Sequence, residues 1–161
     1  MKRQGSTLFL RLAVIILGLV AIGLCILILP AIYSGWTTEY PDAGYLQYPA
    51  LVILSATVIP FFVALYQTWK LLNYIDTNNA FSHRSVDALK KIKYSAVVFS
   101  GLYGAFLPIV YYIADRTDAP GVMVIGFMMA CAPIVIAVFA AVLQRLLGDA
   151  IEIKSENDLT V

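Results

Sequence analysis

Four stretches of this chain carry no charged side chain at all. They cover residues 12–38, 43–69, 94–114 and 119–144, which is 27, 27, 21 and 26 residues, or 101 of 161. A helix needs about 20 apolar residues to cross a hydrocarbon layer roughly 30 Å thick, and each stretch is long enough. Inside lipid the backbone N–H and C=O groups find no water, so a span of this kind must satisfy them internally as a helix. The expected fold is therefore all-α: a polytopic membrane protein, one domain over residues 1–161, with transmembrane helices near 10–35, 47–73, 93–114 and 120–147.

Composition agrees with lipid as the solvent. Hydrophobic residues make up 61% and charged residues 13%, against roughly 45–50% and 25% in soluble domains. A soluble four-helix bundle would keep a polar stripe on each helix. Here the runs Leu12-Ala13-Val14-Ile15-Ile16-Leu17 and Gly121-Val122-Met123-Val124-Ile125-Gly126-Phe127 are apolar all round. Lys2 and Arg3 resemble the start of a secretory signal, but a signal's apolar region is only about 7–15 residues long. The first stretch is better suited to remain as an anchor.

The basic residues set an expected orientation. Lys2, Arg3 and Arg11 precede the first span; Lys70, Arg84, Lys90, Lys91 and Lys93 flank or fill the link between the second and third; Arg145 and Lys154 follow the fourth. The other two links hold Arg116 alone among bases, beside Glu39, Asp42, Asp115 and Asp118. Basic loops stay cytoplasmic, so both termini, the 74–92 loop and the 148–161 tail are expected on the cytoplasmic side. The short outer links make an up-down bundle the simplest arrangement.

The same residues argue against several functions. Catalysis and coupled transport draw on ionisable groups in the membrane core, and the four stretches contain none. His83 is the sole histidine and lies in the 74–92 loop; Cys25 and Cys131 lie deep in their spans, where a thiol packs as a small apolar group. No metal-ligand spacing, phosphate-binding glycine loop or nucleophile–base–acid set is present, so the expectation is a protein without enzymatic activity, cofactor or metal. A formal net charge of +1 gives no reason to expect direct nucleic-acid binding.

Each span holds a proline: Pro30, Pro60, Pro108 and Pro133. Membrane helices tolerate proline where neighbours re-satisfy the freed backbone groups, and with no charge nearby that reading is preferred to a transporter-like hinge. Small residues four apart recur at Ser100/Gly104, Gly101/Ala105, Gly126/Ala130 and Ala137/Ala141. Such pairs let membrane helices approach closely, within one bundle or across a homo-oligomer.

Two polar segments remain. Residues 76–79 are turn-rich, and Ser82 or Ser85 can cap a helix with Asp87 in its first turn. Val86, Leu89 and Ile92 then share a face, and the bases suit anionic headgroups or a docked partner. The tail has four acids against one lysine, with Ile151, Ile153, Leu159 and Val161 between them. Either it is a frayed, solvated end or a short peptide that adds to a partner's sheet edge or groove.

The residues Leu71-Leu72-Asn73-Tyr74-Ile75-Asp76, Ala80-Phe81-Ser82, Ser85-Val86-Asp87-Ala88-Leu89-Lys90-Lys91-Ile92 and Glu156-Asn157-Asp158-Leu159-Thr160-Val161 resemble those of the YoaS-like bacterial membrane proteins, a family of unknown function. The resemblance implies a four-span, multi-pass protein of a bacterial cytoplasmic (inner) membrane, often encoded beside a small helix-turn-helix regulator of the Cro/C1 type. It carries no catalytic residues over. The leading expectation is a regulatory adaptor that holds such a regulator through Phe81, Arg84, Asp87, Lys90 and Lys91 in the loop and Asp149, Glu152, Glu156, Asp158, Leu159 and Val161 in the tail. The alternative is a small oligomeric channel, exporter subunit or immunity-type membrane protein.

Overall fold

A computed structural model describes the backbone of residues 2–160 and the side chains of residues 7–160. Four long helices follow one another: α1 (Lys2–Glu39), α2 (Gly44–Asp76), α3 (His83–Arg116) and α4 (Pro120–Leu159), with a single 3-10 turn at Pro41–Ala43. All four are long and apolar enough to cross a membrane. The chain is an all-α, four-span, multi-pass membrane protein.

The helices run longer than the charge pattern marks. α1 starts at Lys2 instead of near 10, and α4 continues to Leu159 through the segment expected as a frayed or extended tail. Charges show where side chains leave hydrocarbon, which is not where a helix must stop. No proline interrupts residues 134–159, and one glycine, Gly148, costs a helix only about 1 kcal/mol. The irregular part of the 74–92 loop shrinks to residues 77–82. Pro30, Pro49, Pro60, Pro108 and Pro133 all lie inside continuous helices.

Two helix ends close by the same device. Asn78 and Asp118 take left-handed backbone angles, with φ 57° and 49°. Asn79 N–H then donates to Tyr74 C=O (2.8 Å) and Ala119 N–H to Ala114 C=O (3.0 Å), the closure of a Schellman motif. Asn and Asp are the non-glycine residues that accept this conformation most readily. α3 opens on Ser82, extended at φ −137°, whose Oγ accepts from Ser85 N–H at 3.4 Å. With Ser82 as the cap, Asp87 is the fifth helical residue and lies outside the first turn, contrary to expectation.

Successive helices are antiparallel. Arg11 near the start of α1 meets Asp76 at the end of α2 (2.8 Å), while Gln47 Nε2 at the start of α2 donates to Tyr33 C=O near the end of α1 (2.8 Å). Lys93 of α3 donates to Gln144 of α4 (3.1 Å), and Ser100 Oγ donates to Ala130 C=O (2.6 Å). The starts of α1 and α3 and the ends of α2 and α4 therefore share one end of the molecule, which carries ten of the eleven basic residues. At the borders, Arg11, Lys70, Lys93 and Arg116 lie over Trp69, Tyr66, Tyr94 and Tyr112 at 4.6–5.4 Å, a pairing of cation and ring suited to the headgroup layer.

The bundle is open. Among the described residues, the α1 backbone comes close to α2 but to neither α3 nor α4, and that of α2 to α3 but not α4. At the end away from the basic residues side chains reach further, Trp36 of α1 sharing a buried cluster with Ala50 of α2 and Phe106, Ile109 and Val110 of α3. The tightest seam is α3–α4, lined by Ser95, Ala96, Ser100, Gly126, Ala130 and Ala137, all buried. A Cβ on Gly126 would come within 2.8 Å of Val110 Cγ1, so only glycine fits there. The small-residue stripe on α4 thus serves packing within the chain. Gly101 and Ala105 instead stand on an exposed face of α3.

Candidate functional site

At the basic end, α3 and α4 run on beyond their charge-free stretches, side by side. The Lys93–Gln144 bond fixes their register, and equal helical rise brings residues 84–91 alongside 146–153. Ser85, Ala88 and Leu89 are buried on the inner side of α3, at 0%, 3% and 6% exposure. Ser85 Oγ also donates to Asn79 C=O at 3.3 Å, tying the first turn of α3 to the preceding loop. The opposite side of α3 presents Arg84, Asp87, Lys90 and Lys91, all exposed, within an arc of about 120°. Phe81, 61% exposed, stands at its lip.

The last helical turns of α4 divide the predicted acids. At about 100° per residue, Asp149, Glu152 and Glu156 form one stripe some 60° wide, whereas Asp158 lies about 180° from Asp149. Leu147, Gly148, Ala150 and Ile151 are half-buried and mark the side that continues the α3 seam, and Asp158 lies over that side beyond the start of α3. Leu159 is 85% exposed at the tip; Val161 is outside the described residues. The continuous helix thus splits the four acids of the tail three to one.

Charge is kept separate here. Among the described residues the sole ion pair is Arg11–Asp76; none joins Arg84, Lys90 or Lys91 to Asp149, Glu152 or Glu156. The end of the molecule thus shows a basic face on α3 and an acidic stripe on α4, both unneutralised. Sequence reasoning missed the Arg11 cluster nearby. Arg11 Nη2 also donates to Asn73 Oδ1 at 3.1 Å, and its guanidinium lies 5.4 Å from the Trp69 ring centre. The spacing of Trp69, Asn73 and Asp76 on one side of α2 was the signal that could have found it.

A second concave feature lies at mid-membrane. Because the α1 backbone comes close to α2 alone, a lateral groove of about 340 Å³ runs between α1 and the other helices, lined by Leu24 and Cys25 of α1, Phe61 of α2, Phe99 and Tyr103 of α3 and Met129 of α4. No charged residue lines it. Tyr103 Oη reaches Met129 Sδ at 3.6 Å. Among the described residues, no three His, Cys, Asp or Glu side chains gather to hold a metal.

Residues 31–161 match a family described as a protein of unknown function, DUF2975. The chain belongs to this family. It is also 51% identical over 156 residues to the uncharacterized membrane protein YoaS of Bacillus subtilis (strain 168), covering 97% of this chain and 98% of that one. No solved structure matches it.

Proposed function

We propose that this membrane protein is a non-enzymatic regulatory adaptor that docks a small helix-turn-helix regulator of the Cro/C1 type on the basic-end surface of α3 and α4. The observation that carries this reading is the helical continuation of α4 past Arg145. It turns Asp149, Glu152 and Glu156 from a floppy acidic tail into a pre-ordered stripe, which lowers the ordering cost of binding. A regulator of that class is basic where it meets DNA, and an acidic stripe competes for the same surface. The exposed α3 face with Arg84, Lys90 and Lys91 supplies a second contact of opposite sign and fixes orientation. The excess of basic residues at this end supports a cytoplasmic placement for both termini.

A pore is less well supported by the geometry. The groove opens sideways toward lipid and its lining is apolar, whereas a conduction path needs polar or charged groups along its length.

Co-purification of the full chain with the co-expressed regulator in mild detergent tests the adaptor. The wild-type chain is expected to retain the regulator, and the Glu152→Lys/Glu156→Lys variant to lose it by about tenfold or more, as for loss of close charge pairs. Equal recovery with both chains would reject the reading.

A further inference from the structure

The end of the molecule opposite the basic surface contains an open recess of about 530 Å³ between the α1–α2 link and the last turn of α3, with Glu39, Asp42 and Arg116 exposed along it. Its walls are firmly held. Trp36 Nε1–H donates to Ala43 C=O at 2.9 Å, and Ala43 is fully buried. The Tyr40 ring meets Tyr112 edge-on, with centroids 6.5 Å apart. On the α3 side, Thr117 Oγ1 donates to Ile113 C=O at 2.8 Å.

Glu39, Asp42 and Arg116 line this one recess, yet among the described residues no ion pair within 4.0 Å joins them. Arg116 lies instead over the Tyr112 ring, 5.4 Å from its centre. Opposite charges that line one recess without pairing suit a ligand that carries both signs. The two carboxylates, with the carbonyl end of α1 at Glu39, favour a cation. The guanidinium offers a planar fork for a phosphate. Residues 39–42 and 112–117 border the charge-free spans, which puts the recess at headgroup depth.

We propose that this recess binds a phosphoethanolamine group, with its phosphate on Arg116 and its primary ammonium between Glu39 and Asp42. A primary ammonium donates three hydrogen bonds; the trimethylammonium of choline donates none, and a glycerol headgroup brings no cation to the carboxylates. Phosphatidylethanolamine and free phosphoethanolamine share this chemistry.

The test uses the full chain in phosphatidylcholine nanodiscs doped equally with phosphatidylethanolamine and phosphatidylglycerol, with retained lipid counted by native mass spectrometry. A second arm titrates free phosphoethanolamine into undoped discs and follows Trp36 and Trp69 fluorescence. If the source is lipid, phosphatidylethanolamine is retained on the order of tenfold over either competitor, as hydrogen bonds to charged groups warrant. If the source is soluble, the fluorescence change saturates with free phosphoethanolamine and no lipid is preferred. In either case Glu39→Gln/Asp42→Asn removes the effect and Arg116→Lys keeps part of it, each with helix content unchanged by circular dichroism. Equal retention of all three lipids with no response to the free compound would overturn the proposal. So would a preference that survives in the double variant.

Discussion

The α1–α2 seam and the α3–α4 seam join antiparallel membrane helices in two different ways. α3 and α4 meet through small residues, with Ser100 hydrogen-bonded to the Ala130 carbonyl and Gly126 leaving no room for a methyl group. α1 is held to the rest of the molecule at its two ends. Arg11 grips Asn73 and Asp76 at one end; Trp36 and Gln47 bond the opposing backbone at the other. Between them, a Cβ on Gly18 would sit 3.7 Å from Leu65 Cδ1, so that position has room for a methyl group, and the groove opens beside it. Apolar surface gains nothing by leaving lipid for protein, so membrane helices associate through close packing and polar bonds. One seam relies mainly on the first and the other mainly on the second.

Four substitutions separate these modes, read by steric-trap unfolding in bilayers. Trp36→Ala should have the largest effect, about 3–5 kcal/mol, since a buried aromatic and its bond to Ala43 are lost together. Hydrogen exchange in that variant should rise along α1 and leave α3–α4 protected; uniform exchange would dissolve the contrast. Gly126→Ala should cost about 1–3 kcal/mol by overpacking against the stiff Val110 side chain. Ser100→Ala should cost only about 0.6 kcal/mol, the usual worth of an interhelical bond in a membrane. A loss several times larger would make the α3–α4 seam polar in origin as well. Arg11→Gln should change stability by no more than about 1 kcal/mol, because its ion pair is partly solvated.

The spans were legible because twenty-odd uncharged residues in a row admit few other interpretations. The start of α3 was legible to within Ser82 or Ser85 for the same kind of local reason, and Ser82 is the cap. What escaped was any feature without a local marker. The helical course of residues 149–159 has neither a proline to forbid it nor a strong period to announce it, so a frayed or extended tail was the expectation. The open arrangement was hidden because α1 and α4 are both apolar all round, and such helices do not declare their neighbours. The Arg11 cluster needed α1 and α2 to be set in register first, a contact 65 residues apart in the chain.

The nearest-neighbour order of packing bears on how the molecule is made. Every helix after the first rests on the one synthesised immediately before it, and no late step has to bring the last span back onto the first. Contacts this local in chain order make for rapid folding, and they suit a polypeptide delivered amino-terminus first. Each arriving span finds its main partner already in the bilayer, so a ribosome pausing between hairpins would leave a stable intermediate instead of an unpaired helix.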